Sequence, residues 1–130
     1  MKLGKAIVGG AVILLLFTST IKNVKYRNPI NDNLLFNIAR VESNHNDKAV
    51  SKKGALGRYQ IRYSVWHKEL KKEGIIKNKK DLFEREPNEK AAVYILSKYW
   101  TQTGNLRKTL TKYSGGAKNY YEKVVNGEEK

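Results

Sequence analysis

The chain contains no cysteine among its 130 residues, so disulfides and thiolate metal sites are excluded and the fold must rest on its core alone. Histidine is nearly as scarce. His45 and His67 are too far apart for a zinc-ligand spacing, and neither a metal nor a cofactor is expected. Acidic residues are also few, 12 against 26 lysines and arginines, and residues 1–27 hold none. The formal net charge is +14; without the five basic residues of that leading segment the remainder still carries +9. A basic body favours polyanionic partners such as nucleic acid, an anionic lipid surface or acidic envelope polymers. No basic stripe interleaved with aromatics lies on one periodic face, which argues against nucleic acid. Lys71, Lys72, Lys77, Lys79 and Lys80 flank a Gly-Ile-Ile turn and read as a solvated loop. Internal repeats are absent, and the length allows one domain of ordinary size.

One long apolar run is present. Ala6 to Phe17 is unbroken apolar or glycine, preceded by Lys2 and Lys5 and followed by Thr18-Ser19-Thr20-Ile21-Lys22. That is the layout of a secretory signal, but small residues for a cleavage site are offered only by Thr18 and Thr20. Leu3 to Ile21 is long enough to cross a bilayer of roughly 30 Å at about 1.5 Å per residue, with Lys5 snorkelling. A retained membrane anchor is favoured over a cleaved signal, and both over a buried core helix. Residues 1–22 are therefore read as anchor or signal, 23–28 as a polar linker, 29–125 as the folded domain and 126–130 as a flexible tail.

After Pro29, Asn31 or Asp32 can cap a helix in which Leu34, Leu35, Ile38 and Val41 form one apolar stripe ending beside Glu42. Asn44 to Ile61 lacks helical periodicity and carries Gly54 and Gly57, which predicts a loop with a short hairpin or extended segment. Ser64 is predicted to cap a second helix, with Val65, Trp66 and Leu70 inward and Gly74 as its stop. Asp81-Leu82-Phe83 and Pro87-Asn88 lead into the longest periodic run. There Ala91, Ala92, Ile95, Leu96 and Tyr99 share a face up to Gly104, the pattern of a central core helix. Leu106 to Tyr113 and Tyr120 to Val125 read as two further short helices around Ser114-Gly115-Gly116. The fold class is a small, mostly α domain with a minor β element, preceded by an N-terminal transmembrane or signal helix.

Glu42 is the candidate for chemistry. A carboxyl group between an apolar helix face and a polar cleft can stay protonated near neutral pH and donate a proton to a leaving oxygen. Ordinary glycosidases pair such an acid with a second carboxylate. Locally only Asp47 is available; Asp32 lies almost three turns upstream, and Asp81, Glu84 and Glu86 stay open because fold contacts are not visible in sequence.

Glu42-Ser43, Asn46, Ala49-Val50-Ser51, Gly54-Ala55, Gly57 and Gln60 resemble the signature of the soluble lytic transglycosylase family. Glu42, Ser51 and Gln60 stand at that family's spacings, and Tyr113-Ser114-Gly115-Gly116 with Tyr120 looks like its later tyrosine motif. The resemblance covers approximately Pro29 to Val125. Gly57-Arg58-Tyr59-Gln60 and Tyr113-Ser114-Gly115-Gly116 are closer in style to bacteriophage versions than to periplasmic enzymes. It implies a goose-type lysozyme-like fold and cleavage between N-acetylmuramic acid and N-acetylglucosamine in peptidoglycan. Glu42 would act first as acid and then as base, giving a 1,6-anhydromuramoyl end. Ser51, Gln60, Tyr113, Tyr59 and Gly57 are the implied substrate-binding residues, with Tyr113 also a candidate to hold Glu42 by a hydrogen bond. Glycan strands would be the substrate, the membrane a partner through the N-terminal helix, and other virion or envelope proteins further partners, in local wall opening. A hydrolytic muramidase on the same fold is the alternative; a non-catalytic, basic, membrane-tethered wall- or nucleic-acid-binding protein is the reading from another class.

Overall fold

The structure is a computed structural model that describes residues 28–127. The expected anchor or signal at 1–22, nearly all of the linker and the end of the tail lie outside the described residues. No helix among the described residues is long and apolar enough to cross a membrane.

Helix α1 runs over Asp32–Ser43, and Asn31 is its cap, its side chain accepting the Leu34 amide at 2.9 Å. Leu34, Leu35, Ile38 and Ala39 are its buried face, as the three- and four-residue spacing predicted for the leucines and Ile38. Asn44, at a left-handed φ of 55°, ends the helix one turn beyond Ala39 and leaves Glu42 in the last turn.

The glycine-rich segment folds into the predicted hairpin. Strand β1 (Ala55–Leu56) pairs antiparallel with β2 (Ile61–Arg62), with Ala55 opposite Arg62 and Leu56 opposite Ile61. Val50 adds an antiparallel bridge to Leu56. Helix α2, Tyr63–Lys72, follows β2 directly, with Arg62 rather than Ser64 at its cap position. Leu70 is its fully buried residue, Trp66 is half-buried, and Val65 is 57 % exposed, contrary to the inward prediction. A five-residue separation rotates Val65 about 140° from Leu70, so the two cannot share a face, whereas Trp66 at four residues does. Gly74, at a φ of 74°, follows the helix end as predicted.

A 3₁₀ turn at Lys79–Phe83 leads into α3, Arg85–Thr103, which takes Pro87 in its first turn, where proline is tolerated. Ala91, Ala92, Ile95 and Leu96 are at most 3 % exposed, which makes α3 the central helix. Helices α4 (Leu106–Tyr113) and α5 (Tyr120–Asn126) close the core with Leu110 and Val124, both fully buried. Packing of α5 on α1 is reinforced by Arg40, whose guanidinium donates to the Lys123 carbonyl at 2.9 Å. That contact brings the start of α5 to the end of α1, where Glu42 stands.

Candidate active site

Glu42 is half-buried and lines a groove of about 560 Å³ between the hairpin, α2 and the end of α4. Burial raises its pKa above the ordinary 4.5, because the charged form loses hydration; the Tyr120 hydroxyl, donating to Oε2 at 2.6 Å, opposes the shift. No lysine or arginine contributes to the shift. Oε1 has no hydrogen-bond partner among the described residues and is not sealed by them, so it is the oxygen on which a transferable proton can sit.

The tyrosine that holds Glu42 is therefore Tyr120, not Tyr113. Tyr113 also lines the groove, but its hydroxyl donates to the Tyr59 carbonyl at 2.8 Å. Burial and the nearby Glu42 charge push both phenols well above their ordinary range, which keeps them as donors. Tyr120 belongs to the first turn of α5, and the packing of α5 against α1 decides which of the two hydroxyls reaches the carboxylate.

The loop facing Glu42 is fixed by polar contacts from several sides. Fully buried Asn88 accepts the Tyr59 amide at 2.7 Å and donates to the carbonyls of Leu56 at 2.9 Å and Leu82 at 2.8 Å. Ser43 donates to the Arg58 carbonyl at 2.7 Å, tying the end of α1 to the same loop. Gly57, at a φ of 79°, sits so close to Asn88 and the Leu82 carbonyl that a Cβ there would collide with both. Asn88 escaped the sequence reading because an asparagine after proline at a helix start resembles a surface cap. Replacing it would strand three buried backbone groups, each at about 1–3 kcal/mol.

Two of the expected substrate-binding residues reach the groove with Tyr113, and two do not. Ser51 lines it and closes a tight turn: its Oγ accepts the Ala55 amide at 2.9 Å, leaving the hydroxyl hydrogen to donate. Gln60 lines it at a left-handed φ of 54°; its amide nitrogen donates to the Gly57 carbonyl at 3.0 Å, and its oxygen stays accessible as an acceptor. Tyr59 is a core residue, 3 % exposed, and contributes to the site through its backbone. Gly57 does not line the groove and acts through the close approach just described. Val65 and Trp66 from α2 and Tyr99 from α3 line it as well, a wall hidden by reading all three as core-facing.

Among the described residues, Glu42 is the only carboxylate lining the groove. Asp47 pairs with Arg58 at 2.7 Å, and Asp81 accepts the amides of Lys77 and Asn78 in the 3₁₀ turn. Glu84 and Glu86 lie outside the groove lining, as does Asp32. His45, in the loop after α1, is half-buried against Phe36, with ring centroids 4.4 Å apart. Among the described residues no cluster of three or more potential ligands is placed to hold a metal.

A groove with one buried, protonatable carboxylate on a small helical frame is matched by sequence. The model of the Transglycosylase SLT domain family covers residues 19–130. The chain belongs to that family. No curated protein and no solved structure matches it. SLT domains are lytic transglycosylases acting on peptidoglycan, and the five helices and two-stranded sheet among the described residues are consistent with the lysozyme-like SLT fold. As an SLT domain, the chain is an enzyme.

Proposed function

We propose that the enzyme cleaves the β-1,4 bond from N-acetylmuramic acid to N-acetylglucosamine, with Glu42 serving twice. Protonated Glu42 gives its proton to the linking oxygen as the bond to the anomeric carbon breaks. The resulting carboxylate then takes the proton of the muramoyl 6-hydroxyl as that oxygen attacks the same carbon. Glu42 is regenerated, the product carries a 1,6-anhydromuramoyl end, and no water is consumed. The observation that carries this reading is that Glu42 stands alone: among the described residues the groove offers no second carboxylate as nucleophile or as base for water. Tyr120 serves the second half of the cycle, since its hydrogen bond stabilises the carboxylate form. Ser51 and Gln60 supply a donor and an acceptor for sugar hydroxyl and acetamido groups.

We assign the activity to local opening of a bacterial wall by a phage-encoded, virion-associated enzyme held at a membrane by its N-terminal segment, or secreted where that segment is removed. Support comes from the apolar run Ala6 to Phe17 and from the phage-like style of Gly57-Arg58-Tyr59-Gln60. Mass analysis of digested peptidoglycan tests the chemistry: fragments one water lighter than hydrolysis products are expected, and reducing ends of normal mass would make the enzyme a muramidase. Fractionation tests the anchor: the full chain should sediment with membranes and a chain beginning at Asn28 should not. Recovery of the intact full chain in the aqueous fraction would remove the anchor.

A further inference from the structure

Four cations of the groove have no anionic partner among the described residues and are gathered on one concave surface. Elsewhere Arg58 pairs with Asp47, Lys98 with Glu69, Lys90 with Glu86 and Arg107 with Glu122. Lys52, Lys53, Arg62 and Lys112 all line the groove, and none of them makes an ion pair among the described residues. They stand on both banks. Lys52 and Lys53 occupy the tip of a closed turn, in which the Gly54 amide donates to the Ser51 carbonyl at 3.0 Å and Gly54 has a φ of 87°. Arg62 lies beside them, because its cross-strand partner Ala55 ends that turn. Lys112 comes from the last turn of α4, its ammonium 5.6 Å from the centre of the Tyr99 ring, next to Tyr113. When Glu42 holds its proton, the described residues give the groove four positive charges and no negative one.

The disaccharide backbone of peptidoglycan is neutral and gives these cations nothing to pair with. Its charges hang from the muramoyl lactyl ether, as carboxylates of a stem peptide or, once the stem is removed, as the lactyl carboxylate itself. Resting on the transglycosylase reading above, we propose that Lys52, Lys53, Arg62 and Lys112 form an anion-binding rim that selects glycan strands bearing free carboxylates on their muramoyl residues. Four like charges along one concave surface concentrate the field there, strengthening encounter and binding while leaving the proton transfers to Glu42. Because the rim is exposed, its contribution is salt-sensitive.

The test uses Glu42→Gln protein, which leaves strands intact, and the fluorescence anisotropy of labelled soluble glycan strands. All amines on the strands are acetylated. One set keeps free stem carboxylates, a second has them amidated, and a third is stripped to the lactyl carboxylate. Amidated strands should bind about tenfold more weakly than free-carboxylate strands near 50 mM salt, with the difference lost near 0.5 M. Adding Lys52→Gln, Lys53→Gln and Lys112→Gln should abolish the difference. Adding Lys72→Gln, Lys77→Gln and Lys80→Gln, an equal charge loss on exposed residues outside the groove, should retain it. Stripped strands that bind like the free-carboxylate set place the recognised anion at the lactyl group; stripped strands that bind like the amidated set place it on the peptide. Equal binding of free and amidated strands, no binding of any strand, or equal loss in both triple variants overturns the rim. Failure of unaltered enzyme to produce anhydro ends would refute the transglycosylase reading instead, without altering the binding comparison.

Discussion

Glu42 and Glu69 are two glutamates that each accept a hydrogen bond from a tyrosine hydroxyl, Tyr120 at 2.6 Å and Tyr94 at 2.7 Å. Their pKa values nevertheless move in opposite directions. Glu69 also receives Lys98 at 2.6 Å, and that bond, with Tyr94, holds its carboxyl below 4.5. Glu42 has no such cation, and desolvation outweighs its single hydrogen bond. A tyrosine partner alone therefore does not set the direction of the shift; burial without a cation raises the carboxyl pKa, and a lysine partner lowers it. The groove is rich in lysine and arginine, yet none contributes to the Glu42 shift.

The largest effect separates the two residues by activity. Glu42→Gln should lower peptidoglycan turnover by at least about 10³-fold, since one side chain is lost from two proton transfers, while Glu69→Gln should stay within about twofold. Clearing of wall material by Glu42→Gln protein at the normal rate would transfer the acid role elsewhere.

Removing the tyrosine hydroxyls sharpens the contrast. Tyr120→Phe deletes the bond that lowers the Glu42 pKa, so the alkaline limb of the rate profile, where Glu42 loses its proton, should move to higher pH. The maximal rate should fall about tenfold as the carboxylate base loses its donor. Tyr94→Phe should leave both unchanged, although the Tyr94 hydroxyl, itself pushed up to about 12, is as short a donor.

Stability should respond with opposite signs. A raised carboxyl pKa means that the folded state binds more protons than the unfolded one as pH climbs above 4.5, so stability falls across the window up to the raised value. Glu42→Gln should therefore melt higher than the parent above that window and lose the advantage below pH 4.5. Glu69 has a lowered pKa; its contribution is present above 4.5 and disappears as pH falls through the lowered value. The smallest effect belongs to Lys98→Met, which should let the Glu69 pKa relax upward with activity intact and the melting temperature within a degree or two, as for other exposed pairs.

Much of this arrangement was legible from local pattern. The stripe Leu34, Leu35, Ile38 carried α1 to Glu42, and Ala91, Ala92, Ile95, Leu96 marked the central helix, because burial on one face repeats at the helical period. What required the fold was every decision taken between elements. Tyr113 and Tyr120 read alike in sequence, and only the docking of α5 on α1 assigns the Glu42 bond to Tyr120. Asn88 looked like a cap, and its burial under the glycine-rich loop depends on partners 29 and 32 residues away in the chain. Ser51 and Gln60, implied by the family resemblance, do line the groove, while Trp66 and Tyr99, on separate helices, became groove walls only when α2 and α3 were placed together.

Site-resolved carbon-13 NMR titration of the Glu42 and Glu69 carboxyls in one sample tests the central claim most directly. The account predicts that Glu42 titrates above 4.5 and Glu69 below it, in the unaltered enzyme without substrate. A Glu42 midpoint at or below that of Glu69 would contradict it, because the groove would then hold a carboxylate with no proton to give.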